Sequence, residues 1–124
     1  MLNNSNLVAL VATSKPDDAK RFYAETLGLT LLTDDPFAIV FDAHGVMLRV
    51  QKVGEHTPSP YTVLGWDVTD IHTSVAELSN KGVMCERFES LGQDKSGVWA
   101  SPSGAKIAWF KDPDGNMLSL TQFA

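Results

Sequence analysis

Phe41-Asp42-Ala43-His44-Gly45-Val46-Met47-Leu48-Arg49-Val50 and Phe110-Lys111-Asp112-Pro113-Asp114-Gly115-Asn116-Met117-Leu118-Ser119-Leu120 decide how this chain folds. Met47 to Val50 lies seventy positions before Met117 to Leu120, and each stretch follows a Phe and a turn that contains Gly. Such self-similarity marks an internal repeat, and the surrounding residues extend it. Residues 7–12 form a short apolar run, read as a strand. Residues 14–28 change to helical spacing, with Ala19, Phe22, Tyr23 and Leu27 on one face. Ser14 is expected to accept free amide hydrogens of the first turn, Pro16 costs little there, and Asp17 and Asp18 meet the positive helix end. Gly28 ends the helix by taking a left-handed conformation cheaply. Strands are expected over 29–33, 37–42 and 46–52, so the first half reads βαβββ.

Residues 53–60, with Gly54, Pro58 and Pro60, read as a linker. A strand over 61–69 and a helix over 70–81 follow, the helix turning Ile71, Val75 and Leu78 inward and stopping at Gly82. Residues 83–89, 97–100, 105–111 and 117–123 supply further strand material, with turns at Ser101-Pro102-Ser103-Gly104 and Asp112-Pro113-Asp114-Gly115. The order βαβββ recurs. The expected fold is α+β: one domain, 1–124, built from modules 1–52 and 61–124. Each module alone buries too little on one sheet face, so the two are expected to share one structure.

Composition agrees. A chain of 124 residues, 44% hydrophobic and 20% charged, has the makeup of a globular protein rather than a disordered or fibrous one. No apolar run reaches membrane-spanning length and the first residues lack a secretory leader, so a cytoplasmic protein without membrane partners is expected. Cys85 is the lone cysteine, which excludes an internal disulfide and a CxxC site. Ten Lys and Arg against fifteen Asp and Glu leave a formal charge of -5, and the basic residues are scattered. Nucleic acid is therefore not an expected partner. Neither GxxxxGK(S/T) nor GxGxxG occurs, which argues against the common nucleotide-binding loops.

Lys20-Arg21-Phe22-Tyr23 through Leu27-Gly28, together with Phe110-Lys111-Asp112-Pro113-Asp114-Gly115-Asn116, resembles the vicinal oxygen chelate superfamily. This is the group of glyoxalases, bleomycin-resistance proteins and extradiol dioxygenases, and the resemblance covers essentially the whole chain. It implies paired βαβββ modules curling into a cup of mixed sheet with helices outside, and in many members a homodimer. The motifs themselves read as structural: helix-to-sheet packing by Phe22 and Leu27, and a tight turn into the last strand. The family's usual metal centre draws His, Glu or Gln from the first and last strands of each module. Carried onto this chain, those positions are Val8, Arg49, Val63 and Ser119. Val has no lone pair, Arg is a fixed cation, and an isolated Ser hydroxyl is a weak ligand. No metal and no cofactor is expected, although shifting the fourth strand by two residues would put Gln51 in Arg49's place.

If Leu48 and Val50 face the helices, alternation turns Arg49 and Gln51 into the cup, and Met117, Ser119 and Thr121 likewise. Val8, Leu10 and Val63 join them, giving an apolar pocket with one cation and a few hydrogen-bonding groups. Arg49 suits a carboxylate or phosphate unless an acidic neighbour or open water claims it. Trp66 shares parity with Leu64 and Val68, towards the helices. Trp99 and Trp109 are ligand-lining candidates whose register the preceding loop leaves open, with Tyr61 a weaker one. The polar loop 90–97 is a candidate cover for one mouth of the cup. His44, His56 and His72 have no i,i+4 spacing and read as surface residues, Cys85 as core packing, and Asp70 as a helix cap.

These residues favour metal-independent binding of a small, polar or anionic organic molecule by a bleomycin-resistance-type or glyoxalase-like protein. Three alternatives stay open at this point. One is a metal-dependent lyase, isomerase or dioxygenase using Gln51, His44, His56 or His72. The others are a metal-free acid-base enzyme and an interaction module with a vestigial pocket.

Overall fold

The computed structural model describes residues 1–124, which divide into two compact units, Met1–Pro58 and Ser59–Ala124. In the first unit β1 (Val8–Thr13), α1 (Pro16–Arg21), β2 (Thr30–Asp34), β3 (Ala38–Ala43) and β4 (Val46–Lys52) form one mixed sheet in the order β1-β4-β3-β2. In the second, β5 (Thr62–Asp67), α2 (Ile71–Asn80), β6 (Trp99–Ala100), β7 (Lys106–Lys111) and β8 (Met117–Gln122) repeat the pattern as β5-β8-β7-β6. Met47 and Met117 both lie in strands paired parallel to the first strand of their unit and antiparallel to the third. The seventy-residue repeat is thus a repeat of topology: two βαβββ modules, each a mixed sheet with its helix packed on one face.

The helix-facing side of the first sheet carries Val11, Ile39, Phe41, Leu48 and Val50, all buried, and the Tyr23 ring meets that of Phe41 at 5.9 Å. The helix itself differs from expectation. Its N-cap is Lys15 and not Ser14, the Lys15 side chain makes no capping bond, and the Lys15 amide donates to Thr13 Oγ1 at 3.0 Å. It is α-helical only to Arg21; Phe22–Thr26 is a π-helical turn. The reason is packing. Consecutive Phe22 and Tyr23 are both buried, edge to face at 5.2 Å, on that wider turn. Gly28 (φ +74°) then ends the segment, as Gly82 (φ +84°) ends α2, where Val83 N–H donates to the Leu78 carbonyl at 2.9 Å.

In the second unit Ile71, Val75 and Leu78 of α2 are buried, as are Ala108, Phe110, Leu118 and Leu120 of the sheet. Trp66 stacks on Phe110 at 6.4 Å and so belongs to this helix-facing side. Asp70 caps α2 by accepting the Thr73 amide at 3.3 Å, and the same bond pulls its carboxyl below the ordinary range. The Asp112-Pro113-Asp114-Gly115 turn holds itself together. Asp112, only 6% exposed, accepts at Oδ1 from the amides of Asp114 and Asn116, both at 2.9 Å, and at Oδ2 from Asn116 Nδ2 at 2.8 Å.

Residues 83–89 are not a strand, contrary to their composition. They share one backbone hydrogen bond with the sheet, from Glu86 N–H to the Trp109 carbonyl at 2.7 Å, while the Phe88 amide and the Glu86 carbonyl are met by Gln93 in the loop that follows. Cys85 is accordingly half-buried outside any ladder, against Gly97, and burial pushes its thiol pKa up. That is the opposite of an activated thiolate.

Candidate functional site: the open sheet faces

Each sheet has a second face, turned away from its helix. On the first, register places Val8 beside Met47, and Arg49 between Leu10 of the edge strand β1 and Val40 of β3. Val8 and Leu10 are 44% and 52% exposed, Arg49 is half-buried and Gln51 is exposed. The alternation expected from 46–52 therefore holds: Leu48 and Val50 are inside, Met47, Arg49 and Gln51 opposite.

Arg49 makes no hydrogen bond and no ion pair within the chain. Asp34 holds Lys52 at 2.6 Å and Lys20 at 3.1 Å, which lowers its carboxyl pKa. Asp35 accepts the amides of Ala38 and Phe37 at 2.9 and 2.8 Å; those bonds lower its pKa first, with Arg49's field a smaller contribution. The guanidinium is left with its full donor fork available.

On the second sheet Ser119 lies between Gly65 and Trp109, and Thr121 between Asp67 and Ile107, whose other neighbour is Trp99. Ser119, Thr121, Trp99 and Trp109 thus share the open face. Trp99 and Trp109 have ring centroids 6.1 Å apart, and Phe88 meets Trp109 edge to face at 5.3 Å. A groove of about 280 Å³ adjoins this row, walled by Tyr61, Thr62, Phe88, Leu91, Trp109 and Met117. Val63 stands apart from the expectation that it lines this face in register: the ladder slips between Thr62 and Leu64, so Val63 is the extra residue of a bulge. Phe88 carries no sequence signal for this role, because a strand reading of 83–89 hides the loop that delivers it, whereas Leu91 belongs to the loop 90–97 already expected to act as a cover.

Gly65 has a steric reason. A Cβ there would stand 2.6 Å from Ser119 Oγ, so the hydroxyl occupies the space a side chain would take. Gly65→Ala is expected to lose about 2 kcal/mol of unfolding free energy to overpacking. Adding Ser119→Gly should return most of it in a double-mutant cycle read by urea denaturation.

The donor set does not fit a divalent cation. Val8, Arg49, Val63 and Ser119 offer one neutral hydroxyl and one fixed positive charge. Nowhere in the chain do three or more His, Cys, Asp or Glu side chains gather as a metal would need. His44 sits in the left-handed position (φ +51°) of the β3–β4 turn, and His72 Nε2 bonds Asp94 Oδ2 at 2.8 Å. No helix is long and apolar enough to cross a membrane.

Two βαβββ modules, each a mixed sheet with its helix on one face, define the fold class. Residues 6–120 match the model of the Glyoxalase/Bleomycin resistance protein/Dioxygenase superfamily, and the chain belongs to that family. No curated protein matches it in sequence. Among solved structures it is similar to TnmS3, an antibiotic binding protein from Streptomyces sp. CB03234, at 26% identity and TM-score 0.76, covering 100% of this chain and 99% of that one. A superfamily member from Sphaerobacter thermophilus has the same fold at 22% identity and TM-score 0.76, covering 98% and 99%. So has lactoylglutathione lyase from Agrobacterium tumefaciens, at 14% identity and TM-score 0.74, covering 96% and 93%.

Proposed function

We propose that this protein binds a small, polar or anionic organic molecule without a metal and without changing it chemically. The observation that carries the reading is the open aromatic face of the second sheet, where Trp99, Trp109 and Phe88 form a row beside the groove. Flat apolar rings gain from such a face both by burying area and by offset or edge-to-face ring contacts, each worth about 1 kcal/mol. On the open face of the first unit's sheet, Arg49, uncommitted to any carboxylate of its own chain, and Gln51 offer their own contacts to an anionic or polar group. The likeness to an antibiotic binding protein supports sequestration over turnover. The chemistry of Val8, Arg49, Val63 and Ser119 supports a metal-free site.

The same reading makes the protein a cytoplasmic homodimer. Its support is the lone Cys85 and the exposed edge strand β2, which presents Leu31 and Leu32 to solvent. Naphthalene-2-sulfonate, flat and anionic, is a suitable probe. Titration of the whole chain is expected to quench tryptophan fluorescence saturably, equally before and after chelator treatment, with the probe recovered intact. Binding abolished by the chelator, or a converted probe, would overturn the reading.

A further inference from the structure

Residues 83–89 run beside β7 with one backbone hydrogen bond to it, yet they deliver Phe88 onto Trp109, and Ser90 and Leu91 into the groove wall. A segment so poorly laddered needs another source of order. It is Gln93. Its Oε1 accepts the Phe88 amide at 2.7 Å, and its Nε2 donates to the carbonyls of Glu86 at 2.9 Å and Gly97 at 2.8 Å. Both carboxamide hydrogens and one oxygen lone pair are used, tying the outgoing arm of the loop to its returning arm from inside.

The rest of the loop supports that anchor. Leu91 N–H donates to the Phe88 carbonyl at 3.0 Å and Gln93 N–H to that of Leu91 at 2.9 Å, which turns the chain between wall and anchor. On the returning side Asp94 Oδ1 accepts from Ser96 N–H, Ser96 Oγ and Val98 N–H at 3.0, 2.7 and 2.9 Å. Arg87 Nη1 donates to the Asp94 carbonyl at 2.7 Å. Gly97 (φ +98°) completes the closure in a backbone conformation that L side chains rarely adopt, where a Cβ would press within 2.6 Å of Cys85 Cβ.

We infer that Gln93 is a positioning residue for the groove: its carboxamide replaces the missing strand ladder, setting Phe88 against Trp109 and holding Ser90 and Leu91 in the groove wall. The consequence for ligand rests on the binding function proposed above. The geometry rests on the hydrogen bonds alone. A glutamate at this position keeps the acceptor for the Phe88 amide but turns two donors into an oxygen facing two carbonyl oxygens. Residue 93 therefore demands a carboxamide, which distinguishes positioning from simple space filling.

The test uses the whole chain with Gln93→Ala and Gln93→Glu. Amide hydrogen exchange at Phe88 should accelerate at least tenfold in both variants, and the near-ultraviolet circular dichroism of the Phe88–Trp109 pair should weaken. Exchange in β7 and β8 should stay as in the unsubstituted protein. Naphthalene-2-sulfonate affinity should fall on the order of tenfold, the equivalent of one or two lost hydrogen bonds. Unchanged Phe88 exchange and an unchanged aromatic signal in both variants would overturn the positioning role, as would a Glu variant indistinguishable from the original. Failure of the unsubstituted protein to bind the probe would instead sink the binding function and leave the exchange result to decide the role of Gln93.

Discussion

Trp109→Ala is expected to weaken naphthalene-2-sulfonate binding on the order of thirtyfold, about 2 kcal/mol, measured by isothermal titration calorimetry because the substitution also removes a fluorophore. Trp109 is the ring through which the second open face is organised. It lies 6.1 Å from Trp99, meets Phe88 in a T-shaped contact at 5.3 Å and walls the groove. Its removal deletes stacking surface and leaves Phe88 without its aromatic partner, so the loss should exceed that of an isolated contact. Trp66→Phe supplies the comparison. Trp66 stacks on Phe110 on the helix-facing side and should leave affinity within twofold while altering stability. Equal affinity in Trp109→Ala would remove the second sheet from the binding site.

Asp112→Ala is expected to cost about 3 kcal/mol of unfolding free energy, read from the midpoint shift in urea at constant slope. Three donors converge on this carboxylate, and Asn116, which supplies two of them, is only 3% exposed. Removing the acceptor strands buried N–H groups that water reaches poorly, the expensive side of hydrogen-bond accounting. It also loosens a turn closed by Gly115 N–H to the Asp112 carbonyl at 3.0 Å and by Asp112 N–H to the Asn116 carbonyl at 3.1 Å. Asp112→Asn keeps an oxygen for the two backbone donors and should lose about half as much. A loss below about 1 kcal/mol for Asp112→Ala would show that the turn is held by its backbone alone.

Local signals were legible where a residue acts on its own neighbours. Gly28, Gly82 and Asp70 mark helix ends because left-handed backbone and amide capping are decided within a few residues. The alternation in Val46–Lys52 identified which side of β4 carries Arg49, since a strand has only two faces and Leu48 and Val50 fill one of them. The same logic oriented Ser119 and Thr121. Local reasoning misplaced the start of α1, whose N-cap is Lys15 with its amide on Thr13, and it missed the π-helical turn that carries the buried Phe22 and Tyr23.

It failed most completely at 83–89. Valine, methionine and phenylalanine there have the composition of a strand, yet Gln93 satisfies the Phe88 amide and the Glu86 carbonyl from five and seven residues away, so a second ladder is not needed. Trp99 and Trp109 were unreadable for the same reason: their parity depends on the register across β6 and β7, which the intervening loop conceals. The bulge at Val63 is another such case, a one-residue slip that only pairing with β8 reveals.

What sequence determined by itself was the doubled βαβββ order, the inward face of each well-marked strand and the poverty of metal donors, because periodicity, capping and side-chain chemistry are local properties. Only tertiary structure decided that Arg49 goes unpaired, that three aromatic rings meet beside a groove and that one glutamine holds its wall. Each of those depends on which distant residues reach a common place, and no span of neighbouring residues carries that information.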